Sequence, residues 1–150
     1  IWWDVRPHPD FGTVEIRMCD VPSRLTEMLA VGALVQALVV KLGEDYDHGT
    51  LQPLMHPSVI RQNKWRALRH GLGGTLIDWE TYTVEPTRAA IRRLLDLVEK
   101  TAGRLGSIAY LADVERMLTG ETGAARQRRV YAETGDFAEV TRALAAMLDT

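Results

Sequence analysis

Apolar and polar residues alternate with a period of two over the first twenty residues of the chain. In the second half of this stretch the two kinds of side chain fall on opposite faces, with Val14, Ile16 and Met18 against Thr13, Glu15 and Arg17. Such alternation is typical of a half-buried β-strand. Residues 1–6 alternate in the same way, and residues 8–12 contain a proline and a glycine suited to a turn. The sequence therefore predicts a β-hairpin over residues 1–20.

The charges of this hairpin can meet on one of its faces. An antiparallel register can place Arg6 opposite Glu15 and Asp4 opposite Arg17. A surface hairpin can also carry such a face without any function, as a solvated ladder of charges. A carboxylate between arginines is either their salt-bridge partner or a ligand for a hard cation such as Mg²⁺. Spacing alone favours the salt bridge for Glu15.

The pattern then changes to a helical period. Ser23 is the predicted N-cap of a first helix that ends at Lys41 or Leu42, with Gly43 as its stop. Its apolar residues nearly encircle it, which is typical of a buried helix; they are Leu25, Met28, Leu29, Val31, Leu34, Val35, Leu38 and Val39. The apolar run 28–40 contains Gln36 and is too short to span a bilayer, so no membrane segment is predicted.

A polar stretch follows, which we predict to be a loop over residues 44–57. Gly49, Pro53 and Pro57 interrupt any regular structure there. His48 and His56 lie in this loop without a partner at metal-ligand spacing, so we interpret both as surface histidines.

A second helix with a basic face is predicted over residues 58–71. Asn63, Arg66 and His70 lie at i, i+3 and i+7, and Arg69 is beside them. Together with Trp65, this face could bind phosphate or could simply be solvated.

The remaining pattern predicts one extended segment and three further helices. Residues 75–84 have the composition of an extended segment, either a small hairpin or an edge strand, and Pro86 opens an amphipathic helix that runs to about Leu105. Ser107 is the predicted cap of the next helix, and Asp136 caps the last. The back half of the chain is therefore expected to be a helical layer.

Composition narrows the class of protein. The chain has 150 residues, of which 46% are hydrophobic, and this suffices for the core of one domain. Its net charge of -2 and pI near 6.1 do not suggest general binding to nucleic acid or membrane surfaces. The single Cys19 excludes an internal disulfide and favours a reducing cytoplasm. A weaker hypothesis, an anion- or nucleic-acid-binding module, is disfavoured by the acidic balance.

Arginines recur at separate places, on the hairpin, on the basic helix and in residues 126–129. The planar guanidinium binds phosphate and carboxylate at two points, so this recurrence suggests recognition of such anions. The sequence contains no phosphate loop of the G-x-x-x-x-G-K kind, no GxGxxG, no HExxH and no serine elbow. Any nucleotide site would therefore be built on the surface of a sheet.

Four motifs, WWDVRP, GTVEIR, NKWRALRHG and TGAARQR, occur in this order along the chain. Together they resemble the C-terminal part of the bacterial carboxylate–amine ligases of the glutamate–cysteine ligase type 2 family. The resemblance implies an α+β fold, the C-terminal portion of a glutamine synthetase-like catalytic fold, with short antiparallel strands packed against a mainly helical layer. Residues 1–150 would form part of a single catalytic domain, with the hairpin at 1–20, a helical remainder, and the N-terminal part absent.

The resemblance also implies a reaction. ATP would activate a carboxylate, typically that of L-glutamate, as an acyl phosphate, and an amine such as that of L-cysteine would attack it. ATP and Mg²⁺ or Mn²⁺ would be the cofactors, the location would be cytoplasmic, and neither nucleic acid nor membrane would be a partner.

Roles for individual residues follow from the same resemblance. Arg6 and Arg17 would be catalytic, contacting phosphate and the reacting carboxylate, and Glu15 would bind the metal. Five residues match family motifs and are candidates for nucleotide or substrate contact: Asn63, Arg66, Arg69, Arg126 and Arg128.

A chain lacking the N-terminal part would lack most of the metal site. We therefore expect the piece alone to be inactive and the N-terminal half of the same domain to be its partner. An exposed sheet edge would favour self-association, so a homo-oligomer is a candidate state. The alternative hypothesis is a non-catalytic interaction domain that keeps the ligase fold.

Overall fold

A computed structural model describes residues 4–50 and 54–148 of the chain. The described residues form two short antiparallel hairpins, six α-helices and one short 3-10 helix (Gly71–Gly73), which confirms the predicted α+β class. In chain order the elements are β1 (Val5–His8), β2 (Thr13–Ile16), α1 (Leu25–Asp47), α2 (Pro57–His70), β3 (Thr75–Ile77), β4 (Val84–Pro86), α3 (Thr87–Arg104), α4 (Ile108–Thr119), α5 (Gly123–Thr134) and α6 (Phe137–Ala145).

The first hairpin has the predicted register. Arg6 pairs with Glu15, and Val5 pairs with Ile16. The backbone N–H of Arg17 donates to the carbonyl oxygen of Asp4 at 2.8 Å, so this pair also lies opposite, as expected. The predicted strand residues 1–3 lie outside the described residues.

Both predicted ends of α1 are wrong. Its N-cap is Arg24, without a side-chain hydrogen bond, and Ser23 does not cap it. The helix passes Gly43 because a glycine inside a helix costs only about 1 kcal/mol, and an ion pair between Lys41 and Asp45 spans the next turn. The helix ends at Asp47, shortly before Gly49 adopts a φ of +73°. The first part of the predicted loop 44–57 is therefore helical, and residues 51–53 lie outside the described residues.

The prediction that α1 is a buried helix is also wrong for this chain. Only its small residues are buried, namely Ala30, Ala33 and Ala37. Several large apolar side chains face solvent, including Leu29 (44% exposed) and Val39 (48% exposed). The helix has 23 residues, so by length and composition alone it could cross a membrane, contrary to the sequence argument. Core helices of soluble proteins pass the same test.

The rest of the helical layer forms largely where predicted. Helices α1, α3 and α4 pack together around a small core of Ala37, Val98, Ala102 and Leu111. Ser107 precedes α4 without capping it, because its hydroxyl instead donates to the carbonyl oxygen of Ala102 at 3.4 Å. Asp136 caps α6 as predicted, since its Oδ1 accepts from the N–H of Ala138 at 2.8 Å.

The second helix and the second hairpin also agree with the sequence. Helix α2 ends at His70 with Gly71 as its C-cap, close to the predicted end, and residues 75–86 form the small hairpin of β3 and β4. His48 and His56 are exposed, and the Nδ1 atom of His56 accepts from the N–H of Ser58 at the start of α2.

Candidate active site

The charged face of the β1–β2 hairpin brings three of the predicted site residues into contact. Nε of Arg6 donates to Oε2 of Glu15 at 2.8 Å, and Nη2 of Arg6 lies 2.6 Å from the same oxygen. The other carboxylate oxygen, Oε1, lies 3.6 Å from Nη1 of Arg17. Two guanidinium groups therefore share one carboxylate, which leaves the face with an excess positive charge suited to an anion.

The turn between β1 and β2 fixes the register in which the two strands pair. The N–H of Phe11 donates to the carbonyl of His8 at 3.2 Å, and the N–H of Gly12 donates to that of Pro9 at 3.3 Å. Gly12 has a φ of +60°, which favours glycine over residues with a Cβ atom. The register set here places Arg6 and Glu15 on the same face.

Helix α2 is attached to the hairpin through Asp4. Nζ of Lys64 lies 2.8 Å from both carboxylate oxygens of Asp4. The side chain of Asp4 therefore binds α2, while its backbone carbonyl accepts from the N–H of Arg17. This ion pair holds the basic helix α2 next to the first hairpin.

Asn63 and Arg66, two predicted contact residues on α2, hold the helix against β3. The side-chain amide of Asn63 donates to the carbonyl of Ile77 at 2.9 Å and accepts from its N–H at 2.8 Å. Nη1 of Arg66 donates to the hydroxyl of Thr75 at 2.6 Å, and its Nε is buried without a partner among the described residues. Arg69 is exposed. The nucleotide or substrate contacts of all three remain predictions.

The two remaining predicted contact residues lie on α5. The side chain of Arg126 is mostly buried and pairs with Glu121, with 3.4 Å between Nε and Oε2. Arg129 pairs with the same carboxylate at 3.0 Å. The hydrogen bond from Arg129 lowers the pKa of Glu121 and raises that of Arg129 itself. Arg128 is exposed, without an ion pair to the described part of the chain. The structure therefore shows a structural ion-pair network around Arg126.

A cavity of about 140 Å³ lies between the start of α1, the end of α4 and the start of α5. Its charged lining residues are Arg24, Glu27, Asp113, Arg116, Glu121 and Arg126. Three positive and three negative groups balance there, so this cavity has no net preference for an anion. Of the predicted site residues, Arg126 alone lines it.

Sequence reasoning missed a charge cluster around the buried Asp78 at the second hairpin. Asp78 is 4% exposed, and Nη2 of Arg93 lies 2.5 Å from its Oδ2 and 2.8 Å from Oε1 of Glu85. Hydrogen bonds from Thr81, together with that from Glu80 and the charge of Arg93, lower the pKa of Asp78 from 3.8 to about 2. The charged residues of α3 were the signal in the sequence that could have indicated this cluster. The sequence did not show that Arg93 of α3 would pair with Asp78 and Glu85 of the second hairpin.

The described residues alone do not make a metal site. No group of three or more His, Cys, Asp or Glu side chains able to hold a metal ion occurs in residues 4–50 and 54–148. Glu15 supplies one carboxylate of the chemical kind that Mg²⁺ prefers. Its role as a metal ligand remains a prediction, and further ligands would have to come from elsewhere.

Comparison with known proteins gives the family. The sequence model described as glutamate–cysteine ligase family 2 matches residues 1–143. A relative from Gloeobacter violaceus, named "Putative glutamate--cysteine ligase 2", is 46% identical over 150 residues, which are 100% of this chain and 40% of that protein. Relatives of the same name from Solibacter usitatus and Sorangium cellulosum are 43% and 44% identical, over 93% and 91% of this chain and 36% of each relative.

The chain thus spans 36% to 40% of the length of these relatives and corresponds to their C-terminal part. The family match includes all four strands, helices α1 to α5 and most of α6. The chain belongs to glutamate–cysteine ligase family 2.

Proposed function

We propose that the full-length protein is an ATP-dependent carboxylate–amine ligase that joins L-glutamate and L-cysteine to form γ-glutamylcysteine. Family membership gives the general class of ligase, and the Arg6–Glu15–Arg17 face is the observation that carries the proposal. A glutamine synthetase-like fold and a cytoplasmic location belong to the same proposal.

The proposed reaction has two steps. A γ-carboxylate oxygen of glutamate attacks the terminal phosphorus of ATP, and ADP leaves with the electrons of the broken P–O bond. The amino nitrogen of cysteine then attacks the acyl carbon, phosphate leaves, and the nitrogen loses a proton. Both steps concentrate negative charge on oxygen atoms, so fixed cationic donors lower their barriers.

Arg6 and Arg17 are suited to this task because Glu15 holds both guanidinium groups near one point before any anion binds. Preorganised donors need no reorganisation during the reaction, and removing one donor of this kind typically costs about 10²- to 10³-fold in rate. We propose that Arg6 contacts phosphate and that Arg17 contacts phosphate or the substrate carboxylate.

The cation would supply charge stabilisation at the phosphate oxygens when bound. We propose that Glu15 contributes one oxygen ligand to the cation. The remaining ligands would come from the part of the full-length protein that lies outside this chain. In the structure both oxygens of Glu15 already face arginines, so a cation at Oε2 would compete with Arg6 for that atom. On its own, the chain is proposed to be inactive.

The test is product formation by the full-length protein. With ATP, Mg²⁺, glutamate and cysteine, we expect equal amounts of ADP and γ-glutamylcysteine, with no product when either amino acid is omitted. Replacing cysteine by other amines measures acceptor specificity. An intact, folded protein that forms neither ADP nor any γ-glutamyl amide would contradict the proposal and favour a non-catalytic domain.

A further inference from the structure

Helix α1 presents its small residues to the core and its large apolar residues to solvent. Ala30, Ala33 and Ala37 are 0%, 6% and 0% exposed, and the helix packs through this side against α3 and α4. The larger apolar side chains on the open side are Leu25, Met28, Leu29, Val39, Leu42 and Tyr46. An amphipathic surface helix normally shows the opposite arrangement.

The open side of α1 lacks charge over most of its length. No charged residue occurs in residues 28–40, a stretch of about 20 Å at 1.5 Å per residue. The stretch contains one exposed polar residue, Gln36, and exposed apolar surface of this kind marks an interaction site in soluble proteins. We refer to the six large side chains named above as the α1 apolar face.

Gly32 lies within the same stretch of α1 and is exposed. A Cβ atom added to Gly32 would meet nothing within 4 Å, so nothing in the described chain requires a glycine there. Glycine in a helix interior is unfavourable relative to alanine, and it is useful where another backbone must approach closely. Gly32 is therefore suited to a close contact with a backbone that lies outside the described residues.

We propose that the α1 apolar face is the docking surface for the part of the same protein that precedes this chain. The chain corresponds to the C-terminal part of its relatives and spans at most 40% of the relatives described above, so more than half of their length precedes it. That length is sufficient to cover a single helix face. This inference rests on the exposure of α1 and on family membership, and it is independent of the proposed reaction.

Lipid is a poorer occupant than protein for this face. The C-terminal turns of α1 carry Glu44, which accepts two hydrogen bonds from Arg104 of α3 at 2.5 and 2.6 Å. Helix α3 also forms an exposed ion pair with α4, between Arg92 and Glu115. Because α1 packs against both of these charged helices, it could not enter a bilayer without them.

Two cysteine variants of the full-length protein test the proposal. Leu29 and Leu97 are both 44% exposed in this chain, but Leu97 of α3 lies beside Asp96 and near Lys100. Maleimide labelling of Leu29→Cys and Leu97→Cys would be followed by peptide mass spectrometry, which separates these sites from Cys19. We expect labelling at position 29 to be at least about tenfold slower, because a covered thiol reacts only after local opening.

Equal labelling rates at the two positions would overturn the proposal. Protection at position 29 that disappears on dilution would assign the face to a second copy of the chain and would also overturn it. Protection that requires vesicles of phosphatidylcholine and phosphatidylglycerol would assign the face to lipid and would likewise overturn the proposal.

A second pair of variants gives an independent readout. Gly103 of α3 is exposed like Gly32, and an added Cβ meets nothing within 4 Å at either position. We expect Gly103→Ala to leave the melting temperature of the full-length protein unchanged or raise it by about 2–4 °C. Gly32→Ala is expected to lower it, because the new methyl group would meet the docked segment. A rise for both variants would contradict the proposal.

Discussion

Arg6 and Glu15 face each other across the first hairpin, with both Nε and Nη2 of the arginine within 2.8 Å of the same carboxylate oxygen. Each side chain is about 40% exposed, so the pair is an accessible salt bridge and not a buried one. Exposed pairs of this kind contribute little to stability. Their arrangement on one face, together with Arg17, is the basis of the proposal that this face binds an anionic ligand.

The first prediction concerns Arg6→Lys, which keeps the charge but loses the two-point donor. We expect the free energy of unfolding to change by less than about 1 kcal/mol, since the pair is exposed. We expect kcat/KM for ADP formation by the full-length protein to fall about 10²-fold. Arg142→Lys on α6, whose partner is Glu139, is the control and should leave activity unchanged.

The second prediction concerns Asn63→Ala. This change removes both hydrogen bonds to the backbone of Ile77 and should destabilise the protein by about 1–3 kcal/mol. Gln62→Ala, at an exposed neighbouring position, should cost less than about 0.5 kcal/mol. Urea denaturation of both variants measures the difference. Equal stability of the two would show that Asn63 does not hold α2 against β3.

The third prediction is a pH dependence at Asp78. Because folding lowers the pKa of Asp78 from 3.8 to about 2, its ionised form stabilises the protein above pH 4, and this contribution is lost as the pH falls towards 2. Asp78→Asn should therefore be less stable than the unmodified protein at neutral pH, and the gap should narrow between about pH 4 and pH 2. Denaturation curves across this range measure the gap.

Thr81→Val supplies the matching control, because it removes the hydroxyl that donates to Oδ1 of Asp78 at 2.8 Å. It should raise the pKa of Asp78 and move the acid transition towards higher pH. A constant gap between Asp78→Asn and the unmodified protein at every pH would contradict this account.

The fourth prediction compares two adjacent glycines that differ in the space available for a Cβ atom. A Cβ atom at Gly74 would lie 2.6 Å from Cβ of His70 and 3.3 Å from the carbonyl oxygen of Gly71, whereas one at Gly73 would meet nothing within 4 Å. Gly74→Ala should therefore cost about 1–3 kcal/mol in stability, and Gly73→Ala should be nearly neutral. Thermal denaturation of the two variants tests the packing of α2 against β3.

Local patterns in the sequence were sufficient for the hairpin register and for several helix ends. The alternation around Glu15 set the pairing with Arg6, and Asp136 and Gly71 mark helix ends through their own side-chain or backbone chemistry. Such signals involve neighbours in sequence and need no knowledge of the fold.

The burial of α1 could not be predicted in the same way. Apolar residues surround the helix, so the pattern does not say which side faces α3 and α4. The structure places Ala33 and Ala37 inward because small side chains allow close helix packing. The contact of Asn63 with Ile77 was also hidden, because the two residues are fourteen positions apart and in different elements.

The most direct test of the central claim is the rate of ADP release by the full-length protein and by its Glu15→Gln variant, with ATP, Mg²⁺, glutamate and cysteine. The account predicts that the unmodified protein releases ADP only when both amino acids are present. It also predicts that Glu15→Gln, which keeps the size of the side chain, reduces this rate at least about 10²-fold without changing the fold. Unchanged ADP release in Glu15→Gln would contradict the claim that this hairpin face is part of the active site.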